Sequence, residues 1–250
     1  MDSKNVIDIV KSIMPLIYFH SKEAYFPESL DYYIQHSSLY QGKKEVLNSV
    51  SLNQLANEYK GENLVLKNDL KTGSFERAEV YVRFQELETY FRIVFFVFFS
   101  YNGSLKVADC CCEVGEHSAD VERFAFYLNK KTLFIEKVYL GAHGSKDGMW
   151  LGIDDLEKEN GRFVLYSALS SHAFYNKPGR YWRYFGFLND HTNKGVRWDP
   201  KFIIIDDTNP EWQKFQGNLG YPDNCQVPRY RGWENEPEIS TTFWKRFFGC

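Results

Sequence analysis

Residues Tyr90 to Ser100 read Tyr-Phe-Arg-Ile-Val-Phe-Phe-Val-Phe-Phe-Ser, apolar at odd and even positions alike. Successive side chains of a strand point to opposite faces, so such a run belongs to a central strand covered on both sides. The most apolar part, Ile93 to Phe99, is far shorter than the ~20 residues a membrane-spanning helix requires. Just upstream the period is two: Ala78, Val80, Val82 and Phe84 alternate with Glu79, Tyr81, Arg83 and Gln85, the pattern of a strand with one buried face. These two stretches commit the chain to a sheet with packed matter on both sides.

The rest of the chain reads as short strands joined by turns. Leu16 to His20 forms a strand after Pro15, which ends a helical pattern of Val6, Ile9, Val10 and Ile13. Ser51 and Gln54 fit a capping box that starts a helix ending near Tyr59, with Gly61 as its stop. Asn102-Gly103 is a hairpin signal, and Leu105 to Cys112 is expected as the partner of the central strand. Val121 to Leu128 and Thr132 to Leu140 read as a second hairpin, and Phe163 to Leu169 and Phe202 to Ile205 as further strands. Residues 175–250, rich in Trp, Gly, Pro and Asn, read as long ordered loops. The fold class expected is mainly β: an antiparallel β-sandwich with short peripheral helices, as one domain over residues 1–250.

Composition narrows the function classes. The 30 basic and 33 acidic residues are mixed along the chain, so no nucleic-acid footprint is expected. Aromatic residues make up 18%, which suits strands and broad packed faces. The 5 cysteines are odd in number, and Cys110, Cys111 and Cys112 are consecutive; strand neighbours point to opposite faces, so these three do not pair among themselves. No Cys-x-x-Cys zinc spacing, signal-peptide core or prenylation pattern is present, and an intracellular, cytoplasmic protein with reduced thiols is expected.

The chemistry-bearing stretch is Asp109 to Glu122. On a strand, Asp120 and Glu122 project to one side and Val121 to the other, and His117 closes over the same side from the preceding turn. With Asp109 upstream, this is a carboxylate-rich set suited to magnesium or calcium, the candidate divalent cofactor. The competing reading is a salt-bridged polar corner with Arg123 or Lys106. His143 and His172, each among small residues at a strand end, are candidate ligand-binding groups, against a structural role at tight turns. Ser170 and Ser171 lie beside His172, but no Gly-x-Ser-x-Gly elbow supports serine chemistry. Asp190 is a further candidate ligand-binding residue; with Asp199 it gives an oxygen-rich loop around Gly195 that lacks EF-hand spacing. Trp182, Trp198, Trp212 and Trp233 form either a head-group platform or plugs at the sandwich ends.

Several of these stretches together carry a resemblance. Pro15 to Ser29, Gly115-Glu-His-Ser-Ala-Asp-Val-Glu122, Ala142-His-Gly-Ser145 and Tyr166 to Tyr175 follow one another in the order of the motifs of a known family. Asn189-Asp190, Arg197-Trp-Asp199 and Trp212 to Gly220 suit its closing region. The chain resembles the plant and fungal family related to vacuolar protein sorting protein sixty-two. The His117-x-x-Asp120-x-Glu122 spacing is similar, more distantly, to the heptad of necrosis- and ethylene-inducing-peptide-like cytolysins, β-sandwiches that hold a divalent cation near a sphingolipid-head-group site. That resemblance puts Asp109 at the position of an upstream acidic ligand, with His143 in a further site motif. Val121 stands where both patterns have tryptophan.

These readings lead to three expected functions. The first is an intracellular binding module that recognises a lipid head group, glycan or protein partner with cation assistance, its role in vacuolar or membrane trafficking implied by the resemblance alone. The second is a metal-assisted hydrolase using His117, Asp120 and Glu122 to activate water. The third is a self-assembling structural or storage protein, a homo-oligomer without a catalytic site.

Overall fold

The computed structural model describes residues 3–59, 61, 63–107, 112–142, 148–183, 187–221, 225 and 227–228. Its largest element is a 6-stranded sheet in the order Met149–Leu151, Ile135–Leu140, His117–Asn129, Tyr90–Asn102, Glu79–Glu86 and Lys201–Ile205. The run that is apolar on both faces lies in the middle of this sheet, as its pattern requires. Even-numbered residues of Glu79–Glu86 and odd-numbered residues of Tyr90–Asn102 line one core: Val80, Val82, Ile93, Phe95, Val97 and Phe99 meet Ile17, Phe19, Leu165, Phe174 and Trp198 of a second, 5-stranded sheet. The alternate residues Tyr81, Val94, Phe96 and Phe98 meet the helices Leu30–Gln35 and Leu52–Asn57, a 3-stranded sheet and Trp212. One strand therefore serves two cores, and each fully buried Phe contributes roughly 1.5–3 kcal/mol to holding the layers together.

The second sheet runs Lys158–Glu159, Arg162–Ser167, Leu16–Phe19 and Val196–Trp198, with Phe174–Tyr175 paired to Arg162–Ser167. Most pairings are antiparallel as expected, but two are parallel: Leu16–Phe19 with Arg162–Ser167, and Lys201–Ile205 with Glu79–Glu86. Both join segments far apart in sequence, where no hairpin dictates direction.

Local signals held. The helix Ser3–Ile13 buries Val6, Val10 and Ile13 and stops before Pro15. Ser51 caps Leu52–Asn57, its side chain accepting from the Gln54 backbone N–H. The hairpin of His117–Asn129 with Ile135–Leu140 is in place.

The hairpin expected at Asn102-Gly103 is not. Tyr90–Asn102 pairs with His117–Asn129, and between them Leu105–Lys106 pairs with Glu113–Val114 in a short arm; of the strand expected at Leu105 to Cys112, residues 108–111 lie outside the described residues. Asn102 closes the base of this arm: it sits opposite His117, and its amide donates to the carbonyls of Gly103 and Gly115 at 3.0 and 2.9 Å. Period-two patterning identifies strands but carries no information on which strand pairs with which. The strand expected at Phe202 to Ile205 is in place as Lys201–Ile205, but the rest of residues 175–228, expected as loop, contains among the described residues the strands Gly179–Tyr181, Asp190–Thr192 and Val196–Trp198, each too short to show a period.

Among the described residues no helix is long and apolar enough to cross a membrane. Trp198 and Trp212 are buried plugs rather than a platform: Trp198 stacks on Phe75 in the inter-sheet core, and Trp212 donates its indole N–H to Asp31 at 2.6 Å in the other. Trp182 is exposed, and Trp233 lies outside the described residues.

Candidate functional site

Four segments converge where the long central strands end. The loop after Leu16–Phe19 brings Glu23, the start of His117–Asn129 brings Asp120 and Glu122, the turn at 168–172 brings Ser171 and His172, and Asp190–Thr192 brings Asp190. Phe99 sits directly opposite Asp120 across the strand pair, and Val121 packs into the other core. Asp120 and Glu122 therefore share the face turned toward the second sheet, as strand alternation dictates.

His172 is the centre of this arrangement. It is fully buried, and its imidazole lies flat on the Phe99 ring at 3.8 Å between centroids and 1° between planes. Nδ1 is 3.3 Å from Asp120 Oδ2, and Nε2, which has no hydrogen-bond partner among the described residues, is 3.9 Å from Glu23 Oε1. The Glu23 carboxylate is itself held by backbone N–H groups of Ala24, Tyr25 and Ser170 at 3.0, 2.9 and 2.8 Å.

The backbone here is strained. Ala119, Ser170 and His172 have φ of 58°, 66° and 59°, so three of the five non-glycine residues with positive φ among the described residues belong to this cluster. Each such conformation costs on the order of 1–3 kcal/mol and persists only where the surroundings impose it. At His172 they do: its N–H donates to Ala168 O at 3.1 Å and its carbonyl accepts from Ser167 Oγ at 3.2 Å.

Deeper in, Asp190 is fully buried and accepts from Ser171 Oγ and from the Tyr175 hydroxyl, both at 2.6 Å. Its carboxylate is thus engaged by internal hydroxyls, and burial together with Asp190 raises the Tyr175 hydroxyl well above its ordinary value. Burial, then the carboxylates of Asp120 and Asp190, push the Glu122 carboxyl well above the usual carboxylate range, while the guanidinium groups of Arg183 and Arg123 act the other way. Asp120, with 15% of its side chain exposed, is the member that reaches solvent.

Of the residues singled out in the sequence, the structure brings together Asp120, Glu122, His172 and Asp190. His117 stands at the edge, its Nδ1 engaged with the Ala119 carbonyl at 2.9 Å. Asp109 and His143 lie outside the described residues. Asp199 does not join Asp190; it pairs with Arg162 at the surface at 2.8 Å. Among the described residues no three His, Cys, Asp or Glu side chains converge as a metal set. Asp120 and Glu122 suit a hard cation as oxygen donors, but Arg183 and Arg123 already supply part of the positive charge the cluster needs. Sequence reasoning missed Glu23, Ser171, Tyr175 and Arg183 as parts of the site. Glu23 had a signal in the opening motif of the resemblance, and Ser171 and Tyr175 in the stretch Tyr166 to Tyr175; Arg183 had none.

Fold and site define a class: a β-sandwich with a buried imidazole–carboxylate cluster at one end of its central strands. The chain matches the model of the family described as vacuolar protein sorting-associated protein 62 over residues 1–202, and it belongs to that family. No curated protein is significantly similar to it. Among solved structures it is similar to a toxin fold described as a basis for microbial attack and plant defense, at 12% identity over 99% of this chain and 91% of that one with a TM-score of 0.49. It is also similar to NLPPya in complex with mannosamine, at 12% identity over 96% and 87% with a TM-score of 0.49. A third is Necrosis and Ethylene inducing Protein 2 from the causal agent of cocoa's witches' broom disease, at 13% identity over 84% and 83% with a TM-score of 0.45.

Proposed function

We propose that this protein is a recognition module whose Asp120 end binds a polyhydroxylated ring, either a free glycan or the sugar head group of a lipid. The observation that carries this reading is the partly exposed Asp120 carboxylate, gripped from behind by a buried, strained His172. A carboxylate fixed in this way accepts paired hydroxyl donors at little ordering cost, which is what selects a sugar ring over water. A divalent cation, magnesium or calcium, would be held by the carboxylates of Asp120 and Glu122, with His117 and, by the resemblance, Asp109 as further donors, and would supply positive charge that attracts ligand hydroxyls. The family's description supports a role in vacuolar or membrane trafficking, and the odd number of cysteines, three of them consecutive, supports an intracellular setting.

The test is binding to a glycan array and to phosphatidylcholine vesicles carrying glucosylceramide, with magnesium, calcium or chelator, alongside metal analysis of the purified protein. Wild type is expected to bind one of the two ligand forms and Asp120→Asn to lose at least tenfold in affinity. Equal binding by wild type and Asp120→Asn overturns the reading. Chelator-resistant binding that still needs Asp120 removes only the cation.

A further inference from the structure

We propose that Glu23 is a positioning residue: it sets the orientation of His172, and through His172 the carboxylate of Asp120. This inference rests on the reading of Asp120 as the ligand-contacting group.

Glu23 reaches the site from the opposite sheet and from the other end of the chain: Ser170 lies 147 residues away in sequence, yet its backbone N–H donates to Glu23 Oε2. Three backbone N–H groups leave the carboxylate no freedom to turn, and its side chain is fully buried. Across from it, the His172 ring is confined by Phe99 on its face and by a left-handed backbone, so what is left to be decided is the half-turn flip about Cβ–Cγ that exchanges its nitrogen and carbon edges. A carboxylate stands at each edge, Asp120 at Nδ1 and Glu23 at Nε2. Nε2, without a hydrogen-bond partner among the described residues, lies 3.9 Å from Glu23 Oε1. Attraction from the fixed Glu23 charge in a buried, low-dielectric setting favours the ring orientation that directs Nδ1 to Asp120. The line Glu23–His172–Asp120 thus runs from an immobile anchor to a carboxylate that meets solvent, the arrangement by which outer groups tune a ligand-contacting one.

The competing explanation is that Glu23 merely closes its own loop. Asn193 provides the control, because it staples the same loop by accepting from the Ser21 N–H at 2.8 Å and donating to Ser21 Oγ at 3.0 Å without touching His172. Ring nitrogen-15 shifts of His172 and the side-chain carbon-13 shift of Asp120 are compared at one pH in wild type, Glu23→Gln and Asn193→Ala, with Glu23→Asp used if Glu23→Gln does not fold. Both shifts are expected to move in the Glu23 variant and to stay in Asn193→Ala. Binding to the glycan array and glucosylceramide vesicles is expected to weaken at least tenfold in the Glu23 variant alone. Unchanged shifts in the Glu23 variant, or equal changes in Asn193→Ala, overturn the positioning role. Shifts that move while Asp120→Asn binds as wild type sustain the positioning role and sink the ligand reading instead. Lost binding in Asp120→Asn with unchanged shifts and binding in the Glu23 variant does the reverse.

Discussion

Asp120 and His172, 52 residues apart in the chain, meet at 3.3 Å, and each is held by a residue next to it in space rather than in sequence. Phe99 supplies the floor for the imidazole and stands opposite Asp120 in the strand pair. His172 contributes to stability through its ring and opposes it through its backbone, and two substitutions separate these effects. His172→Ala removes the stacked ring and keeps the unfavourable φ, and is expected to cost about 2–4 kcal/mol in urea unfolding. His172→Gly removes the same ring but relieves the φ of 59°, and is expected to be about 1 kcal/mol less destabilising. Equal losses would show that the left-handed backbone there carries no strain.

Glu122 gives the site a pH dependence of definite sign. Its carboxyl is raised in the folded protein by burial and by Asp120 and Asp190, so the folded state holds its proton more tightly than the unfolded chain does. Its stabilising contribution is therefore fully present below the ordinary carboxylate range and is lost as pH rises through the raised folded value. Glu122→Gln, which never ionises, is expected to gain in melting temperature relative to wild type as pH is taken from about 5 to about 8. A difference that is constant across that range would contradict the raised carboxyl.

Glu28 is fully buried and its partner Arg77 is not, since the Arg77 side chain is 44% exposed. The guanidinium donates to both carboxylate oxygens, with Nε at 2.9 Å, and lies over the Tyr32 ring at 4.2 Å. Arg77→Met strands a buried charge and is expected to cost about 1–3 kcal/mol, below the value for a fully buried pair because water reaches the arginine. Adding Glu28→Gln should recover part of that loss, which a double-mutant cycle reads directly.

Gly220 secures the strand that bears the site. A Cβ there would stand 1.8 Å from the Ser118 carbonyl, where Ser118 N–H donates to Tyr221 O at 3.1 Å and Tyr221 N–H to Ser118 Oγ at 2.8 Å. Gly220→Ala is expected to cost about 1–3 kcal/mol and to shift the amide resonances of His117 to Asp120. Unchanged amides would mean that this contact does not position the site.

Much of the architecture was legible before any coordinates. Period two at Ala78 to Gln85, a doubly apolar run at Tyr90 to Ser100 and the Ser51 cap are local properties, and each produced its element within a residue or two. Pairing was not local. The Asn102-Gly103 dipeptide carries a hairpin signal, yet Asn102 closes the base of an arm whose strand returns only at His117. The motif around His117 to Glu122 located two carboxylates on one strand face, because alternation is built into the backbone.

By itself the sequence determined that there would be a central strand serving two cores, and that Asp120 and Glu122 would share one of its faces. Only the tertiary structure decided what those carboxylates meet. Glu23, His172 and Asp190 come from three other segments, brought together by strand pairings and cores that depend on long-range contacts rather than on any periodicity. The same contacts made Trp198 and Trp212 core residues and hold Ala119, Ser170 and His172 in left-handed conformations. A residue's own preferences oppose such a backbone, and only packing from every side can impose it.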